Sequence, residues 1–378
     1  MKITIFGPSK RFLSGVSYYT IRLSNALSFY SKVRAVLFRH MLPKRLFPGW
    51  KRVNRNLTFL QFNRNVEVYE ILDWYNPLTW LNAYEIARDS DIIILQWWTS
   101  SVAHMYLAIE LLNKIGAKKP IVIDFHEIID PLENSILPLR IYSRIIGKLI
   151  RKLANHYVVH SSQDKKYLAT VYKIPIENIS IIPHGLYDHY PRIHDAKKMI
   201  GIDENFVILF FGLLRPYKGV KYLIKAFEML PENVISDTRL LIVGEVWEDR
   251  ESVKVARDSP YSDKITIINR YIPDEEVSLY FSASDVVVLP YIRASQSGVA
   301  HIAMSFGLPI IATKVGGLKD SLMEYKGTYF VKVRDAKGLA SAIQQVYHKR
   351  YKKYKPPEKL RWNNIAKTWI NLLENLIK

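Results

Sequence analysis

Two doubly wound α/β domains in tandem are the architecture this sequence predicts, on three observations. Its 378 residues are too many for one ordinary core and suit two domains of about 150 to 200 residues each. Short β-branched runs alternate with helically spaced apolar segments. That alternation breaks once, after Gly185, and then resumes.

The first set of strands reads KITIF (2–6), VRAVLF (33–38), VEVYEIL (66–72), DIIILQW (91–97), IVIDFHE (121–127), HYVVHS (156–161) and ISIIPHG (179–185). Runs of this kind are parallel strands buried on both faces. Segments such as SYYTIRLSNALSFY and SVAHMYLAIELLNKIG lie between them with helical spacing and supply right-handed crossovers. The polar stretch LYDHYPRIHDAKKMIGIDEN, with Pro191, is the interdomain connection. A second set follows: FVILFFG (206–212), RLLIVGE (239–245), KITIINRY (264–271), DVVVLPY (285–291), LPIIATKV (308–315) and TYFVKV (328–333). This places a first Rossmann-like domain at 1–190 and a second at 191–360. A last helix, 361–378, can pack on either domain or return to the first. Ligands of open parallel sheets bind beyond the carboxyl ends of the strands, so two such edges facing an interdomain cleft are where a site is expected.

Composition narrows the classes. The absence of cysteine removes disulfide scaffolds and thiolate zinc sites. MKITIFG reads as a strand rather than a leader, and no apolar run approaches the roughly 18 residues of a membrane span, so a cytoplasmic protein, soluble or peripheral at the inner membrane face, is expected. The net charge of +19 is uneven: residues 1–190 carry 25 Lys and Arg against 14 Asp and Glu, and the first 66 carry 13 bases and no acid. Such a field attracts polyanions, whether nucleic acid, anionic lipid or phosphorylated substrate.

Two segments are suited to hold phosphate. In FFGLLRPYKGVKYLIKAF a strand ends at Gly212 and a helix begins near Gly219, with Arg215 and Lys218 in the turn between. Arg forks onto two oxygens and Lys adds a point charge, a design for a diphosphate; the bland reading is two solvated turn residues. In ASQSGVAHIAMSFGLP, Ser297 is placed to cap a short helix from Gly298 to Phe306, stopped by Gly307. The free amides around Ser297, Gly298 and Val299 are an anion site on one reading and an ordinary capped crossover on the other.

The turn after the first strand, PSKRFLSGVSYY, brings Gly15 to a helix start but lacks the three spaced glycines of a dinucleotide fingerprint, and no Walker lysine motif is present. His126 ends IVIDFHE beside Asp124 and Glu127, as a cleft-facing group or a structural loop cap. His184 and His301 read as structural. Asp89-Ser-Asp91 matches a metal-binding Asp-x-Asp pattern, but Asp91 opens a strand, the wrong edge for a site, and no metal is assigned. LPLRIYSRIIGKLIRKLANH (137–156) sets Ile141, Ile145, Leu149 and Leu153 beside a stripe of Arg140, Arg144, Lys148 and Lys152, suited either to an anionic bilayer or to a crossover with a solvated face. RHMLPKRLFPGWKR (39–52) mixes bases with Leu, Phe and Trp50, a second candidate for lipid.

Taken together, FGLLRPYKGVKYLIKAF, LLIVGE, RYIPDEEVSLYFSASDVVVLPY and ASQSGVAHIAMSFGLPIIATKVGG resemble, in order, the family-four retaining glycosyltransferases of the GT-B fold. WYNPLTWLNAYEIARDSDIIILQWW and RLFPGW are similar to the first domain of one bacterial and archaeal branch. The resemblance implies transfer of a sugar from a nucleoside-diphosphate donor, bound mainly by the second domain, to an acceptor bound mainly by the first, with no metal or other cofactor; a lipid-linked, glycan or other anionic acceptor is the expectation. It implies that Arg215 and Lys218 grip the diphosphate, that His126 lies near the transferred sugar, that Gly15 sits in the first glycine loop, and that the backbone of Arg270, Tyr271 and Ile272 meets the base. The chain departs from the family's pair of glutamates, having Ala294 and Ile302 there, and has Leu213 where an Arg usually follows the strand-ending glycine. Ser295 and Gln296 are the neutral groups left to contact the sugar. The departure motivates a second expectation, an inactive sugar-nucleotide-binding protein. Charge alone motivates a third, a nucleic-acid binder, although no nucleic-acid module accompanies it. Sequence does not set the oligomeric state.

Overall fold

Strands whose every residue is apolar must be covered on both faces, and here they build two all-parallel sheets. The computed structural model describes all residues except 13, 41–59, 129, 131–136, 295 and 350–351. The first sheet has strands β1 (Lys2–Pro8), β2 (Lys32–His40), β3 (Val66–Asp73), β4 (Ile92–Trp97), β5 (Ile121–Phe125), β6 (His156–Val159) and β7 (Ile179–Ile181), in the order β3-β2-β1-β4-β5-β6-β7. The second has β8 (Phe206–Phe211), β9 (Thr238–Val243), β10 (Ile265–Ile268), β11 (Val286–Leu289), β12 (Ile310–Thr313) and β13 (Thr328–Val331), in the order β10-β9-β8-β11-β12-β13. Thirteen runs were expected as strands, seven before the break and six after, and each forms one.

Alternation along the strands of the first sheet feeds two cores. Ile3, Ile5, Ile92, Ile94 and Val122 face Tyr19, Leu23 and Trp369 on one side. Phe6, Ile93, Leu95, Ile121 and Ile123 face Met105, Tyr106, Ile109 and Ile150 on the other. Helices therefore lie on both faces, the doubly wound arrangement expected.

The chain divides into two compact units, residues 1–185 with 359–378, and residues 186–358. The connection after Gly185 belongs to the second unit from its first residues: the Tyr190 hydroxyl donates to Asp274 Oδ1 at 2.5 Å. The helix Trp362–Ile377 belongs to the first, with Trp362, Ile365, Ala366, Trp369 and Leu373 completing the core above Ile3 and Ile5. Gly185 makes this possible, because a Cβ there would stand 2.4 Å from Trp362 Cε2. Among the described residues no helix is long and apolar enough to cross a membrane.

Each sheet reverses its strand order once, between β1 and β4 and between β8 and β11. Loops leaving such neighbouring strands part toward opposite faces and open a crevice at the carboxyl ends.

Candidate functional site

In the second unit both phosphate candidates leave the strands that flank this reversal. After β8 the chain passes Gly212 and reaches a 3₁₀ turn, Pro216–Lys218, before the helix Val220–Glu228. Gly219 joins turn to helix with φ of 68°, and a Cβ there would lie 2.1 Å from the Pro290 carbonyl oxygen, so only glycine fits. That contact, with the Ile292 amide donating to the Tyr217 carbonyl at 2.7 Å, fastens the turn after β8 to the loop after β11.

The same loop leads into the helix Gly298–Ser305. A Cβ on Gly212 would meet Val299 Cγ2 at 3.9 Å, so the glycine turn and the first turn of this helix touch. Lys218 Nζ stands 3.6 Å from the ring centre of the buried Tyr291, whose hydroxyl is 3.4 Å from Ser297 Oγ. Arg215 stacks on Trp247, its Cζ 4.6 Å from the ring centre. The turn and the helix start are thus held side by side. Ser297 occupies the N-cap position but its side chain makes no capping bond, because it turns to Tyr291 instead. The first amides of a helix have no partner inside it.

These two cations are held differently from the paired ones of the unit. Elsewhere in the unit Arg239 and Lys264 share Glu204, Lys221 holds Glu251, Lys197 holds Asp285 and Arg270 holds Glu276. Among the described residues Arg215 and Lys218 form no ion pair, and Arg215 Nε is buried with no hydrogen-bond partner. Both rest on aromatic faces, which attract a cation without neutralising it. Gln296 has a similar unspent donor: its Oε1 accepts from Ser321 Oγ at 3.0 Å, while its Nε2 is buried and unpaired. Arg270 is spent on Glu276 and Tyr280, so around Tyr271 and the buried Ile272 the backbone is what remains to meet a ligand. Ser295 lies outside the described residues. His301 is buried in the short helix.

In the first unit Gly15 opens the helix Gly15–Leu27 beyond β1, behind a Ser14 cap that accepts from the Ser17 amide. His126 follows β5 and is buried. It does not act alone. Three consecutive strands β5, β6 and β7 are followed by His126, His160 and His184, and the rings gather with centres 4.9 Å (126–160), 5.3 Å (126–184) and 4.1 Å (160–184) apart. Tyr19 packs against all three and against Trp362. Behind them Gln96 Nε2 donates to Asp124 Oδ2 at 3.1 Å and Gln96 Oε1 meets His126 Nε2. Burial drives His126 well below the usual imidazole range and His160 down to about 4, and pushes Asp124 up to about 8. Burial, then Asp164, raises Glu127 to about 7. The cluster is neutral where the second unit's turn is cationic. Reading His184 by itself as structural missed this group; the signal was a histidine after each of three neighbouring strands, DFH, VVH and IPH.

Asp89 is held by Arg34 and Lys2, and Asp91 Oδ2 accepts from the Lys2 amide, so both serve the fold at the amino edge of the sheet. The helix Leu137–Leu153 packs through Ser143, Gly147 and Ile150 and leaves Ile141, Ile145 and Leu149 exposed beside Arg144, Lys148 and Lys152. Residues 41–52 of the second lipid candidate lie outside the described residues.

Two family comparisons tile the chain. The family described as Glycosyltransferase Family 4 matches residues 13–188, and the one described as Glycosyl transferases group 1 matches 193–369. Among curated relatives, a D-inositol 3-phosphate glycosyltransferase of Pseudarthrobacter chlorophenolicus is 27% identical over 271 residues, 68% of this chain and 62% of its own length. A lipopolysaccharide 1,2-N-acetylglucosaminetransferase of Salmonella typhimurium is 22% identical over 222 residues, 54% of this chain and 58% of its own length. The aligned stretches thus span about three fifths of these relatives. Among solved structures, sucrose-phosphate synthase from Thermosynechococcus elongatus aligns with a TM-score of 0.63 at 18% identity, over 100% of this chain and 95% of that one. The Anabaena protein HepE in complex with UDP aligns at 0.65 and 16%, over 100% and 97%. These two share the fold, the GT-B pairing of Rossmann-like domains.

Proposed function

We propose, from the premise that this chain belongs to the family 4 and group 1 glycosyltransferases, that it transfers a sugar from a nucleoside-diphosphate donor to an acceptor hydroxyl, with retention and without a metal in the transfer step. The observation that carries this reading is the pair of unspent cations, Arg215 and Lys218, fastened beside the first turn of the helix Gly298–Ser305 at the strand reversal of the second unit. A diphosphate is the group that needs two cations and free amides together.

As the bond from the anomeric carbon to the phosphate oxygen breaks, charge gathers on the diphosphate. Fixed positive groups stabilise that charge most where it is greatest. The acceptor oxygen bonds to the same face of the carbon, and its proton passes to the departing phosphate oxygen. Gln296 Nε2 and Ser295 replace the family's glutamates as neutral donors to the sugar, in keeping with Ala294 and Ile302. The family resemblance assigns His126 to the sugar's surroundings, Gly15 to the first glycine loop, and the backbone of Arg270 to Ile272 to the base. The acceptor is lipid-linked, a glycan or another anionic molecule; one curated relative is named for D-inositol 3-phosphate and another for lipopolysaccharide. The exposed apolar stripe of Leu137–Leu153, flanked by bases, suits an anionic bilayer at the cytoplasmic face.

The missing glutamates favour one other reading, a scaffold that binds a sugar nucleotide and no longer transfers. Calorimetry with UDP-, GDP-, ADP- and dTDP-sugars, followed by product analysis over a lipid and glycan acceptor panel, separates the two. Binding with transfer, both lost in R215A/K218A, supports the proposal. Binding without transfer favours the inert scaffold, and donor binding that survives the double variant refutes the site.

A further inference from the structure

We infer that His126, His160 and His184 form a three-imidazole site for a borderline divalent cation of the zinc class. One ring nitrogen from each of the three lies within 4.8 Å of the others. The surroundings fix which nitrogens of His126 and His160 are bare. The Gln96 amide, committed to Asp124 through Nε2, presents Oε1 to His126 Nε2, so the proton sits on Nε2 and Nδ1 is a bare lone pair, buried and without a hydrogen-bond partner. His160 donates through Nδ1 to the Ile182 carbonyl at 2.8 Å, which leaves Nε2 bare. Asp124 Oδ1 stands 3.4 Å from it, and no hydrogen bond is made there.

Two bare, buried nitrogens, His126 Nδ1 and His160 Nε2, therefore belong to a cluster that a third imidazole completes. An imidazole whose far nitrogen donates to a carbonyl is also the usual arrangement behind a metal-bound histidine. A set of imidazole nitrogens selects zinc, cobalt, nickel or copper over magnesium or calcium. Ligand nitrogens on tetrahedral zinc stand about 3.4 Å apart, so binding draws the rings together, and His184, half-buried, is the member with room to move. Three ligands leave a fourth position open.

All these residues lie in the first unit, whereas the proposed diphosphate cations lie in the second. If His126 borders the donor sugar, as proposed above, the ion competes for its lone pair and zinc inhibits transfer; only that corollary rests on the earlier reading.

The experiment uses the full chain, with any affinity tag removed and the protein stripped with EDTA. Cobalt chloride is titrated in while visible absorption is followed, and zinc is added as competitor. The expected result is one equivalent of cobalt with a tetrahedral d–d band that zinc abolishes. H184A, the least buried change, and H160A should each weaken zinc binding at least about tenfold. R215A/K218A should bind the metal as the parent does, which separates failure here from failure of the donor site. Absence of a stoichiometric band, or binding unchanged in H184A, overturns the inference; circular dichroism of each variant distinguishes lost ligands from lost fold.

Discussion

The two sheets are built alike, yet the loops at their carboxyl ends carry opposite electrostatics. In the second unit the turn after β8 carries Arg215 and Lys218, which no acid among the described residues neutralises; in the first the ends of β5, β6 and β7 gather three imidazoles beside a buried carboxyl. Architecture alone does not set chemistry. What differs is how each charge is disposed of: stacked on Trp247 and Tyr291 in one case, withheld by burial in the other.

The sharpest way to break this contrast is to compare free with paired cations in the second unit. Removing Arg215 and Lys218 together should cost donor turnover about 10² to 10⁴-fold, from charge-assisted bonds of about 1.5 to 3 kcal/mol each, with little change in melting temperature. R239A, which takes one partner from Glu204, should do the reverse: about 1 kcal/mol of stability lost and turnover retained. Parallel kcat/KM and thermal melts decide it. If both variants behave alike, the distinction between spent and unspent charge is empty.

A smaller effect is expected at Gly298. A Cβ there meets only Tyr187, at 3.6 to 3.9 Å, so G298A should fold normally. Donor affinity should nevertheless fall about tenfold, the loss of a bond or two to phosphate, because the methyl group takes the space of an oxygen at the helix start. Isothermal titration with the donor measures this.

On the first unit, sedimentation with anionic vesicles tests the exposed stripe. I141S/I145S/L149S should reduce binding about tenfold at low salt without unfolding the helix, since those side chains touch little of the core. Equal sedimentation would remove the bilayer from the proposal.

The finest test concerns Glu110. It is buried, neither carboxylate oxygen has a hydrogen-bond partner among the described residues, and burial holds its pKa well above the ordinary value. The folded unit keeps a proton that the unfolded chain releases above about pH 4.3. Stability from this group is therefore full below that pH and falls as pH rises, by about 1.4 kcal/mol per unit until the folded carboxyl ionises. E110Q should flatten that slope in urea melts between pH 5 and about pH 8.

The strands were legible in the sequence because each is a β-branched run bounded by turn residues, and the crossovers because their apolar residues recur at helical spacing. Arg215 and Lys218 were legible because strand, turn and helix are contiguous in the chain. Their supports were not: Trp247 and Tyr291 come from other loops, and only the sheet order brings them in. His160 and His184 carried a signal that reading one strand at a time conceals, since register decides that successive strand ends lie level. The stripe of Leu137–Leu153 was ambiguous for a different reason. Periodicity marks the apolar face, but Ser143 and Gly147 supply the packing contact, and small residues leave no periodic mark.

The seating of Trp362 against Gly185 has a consequence for how the chain is made. Residues 186–358 are continuous, whereas the core of the first unit must wait for residues 359–378 to be made. Until then the apolar wall around Ile3, Ile5 and Tyr19 stands open in the nascent protein, a surface for chaperones to shelter.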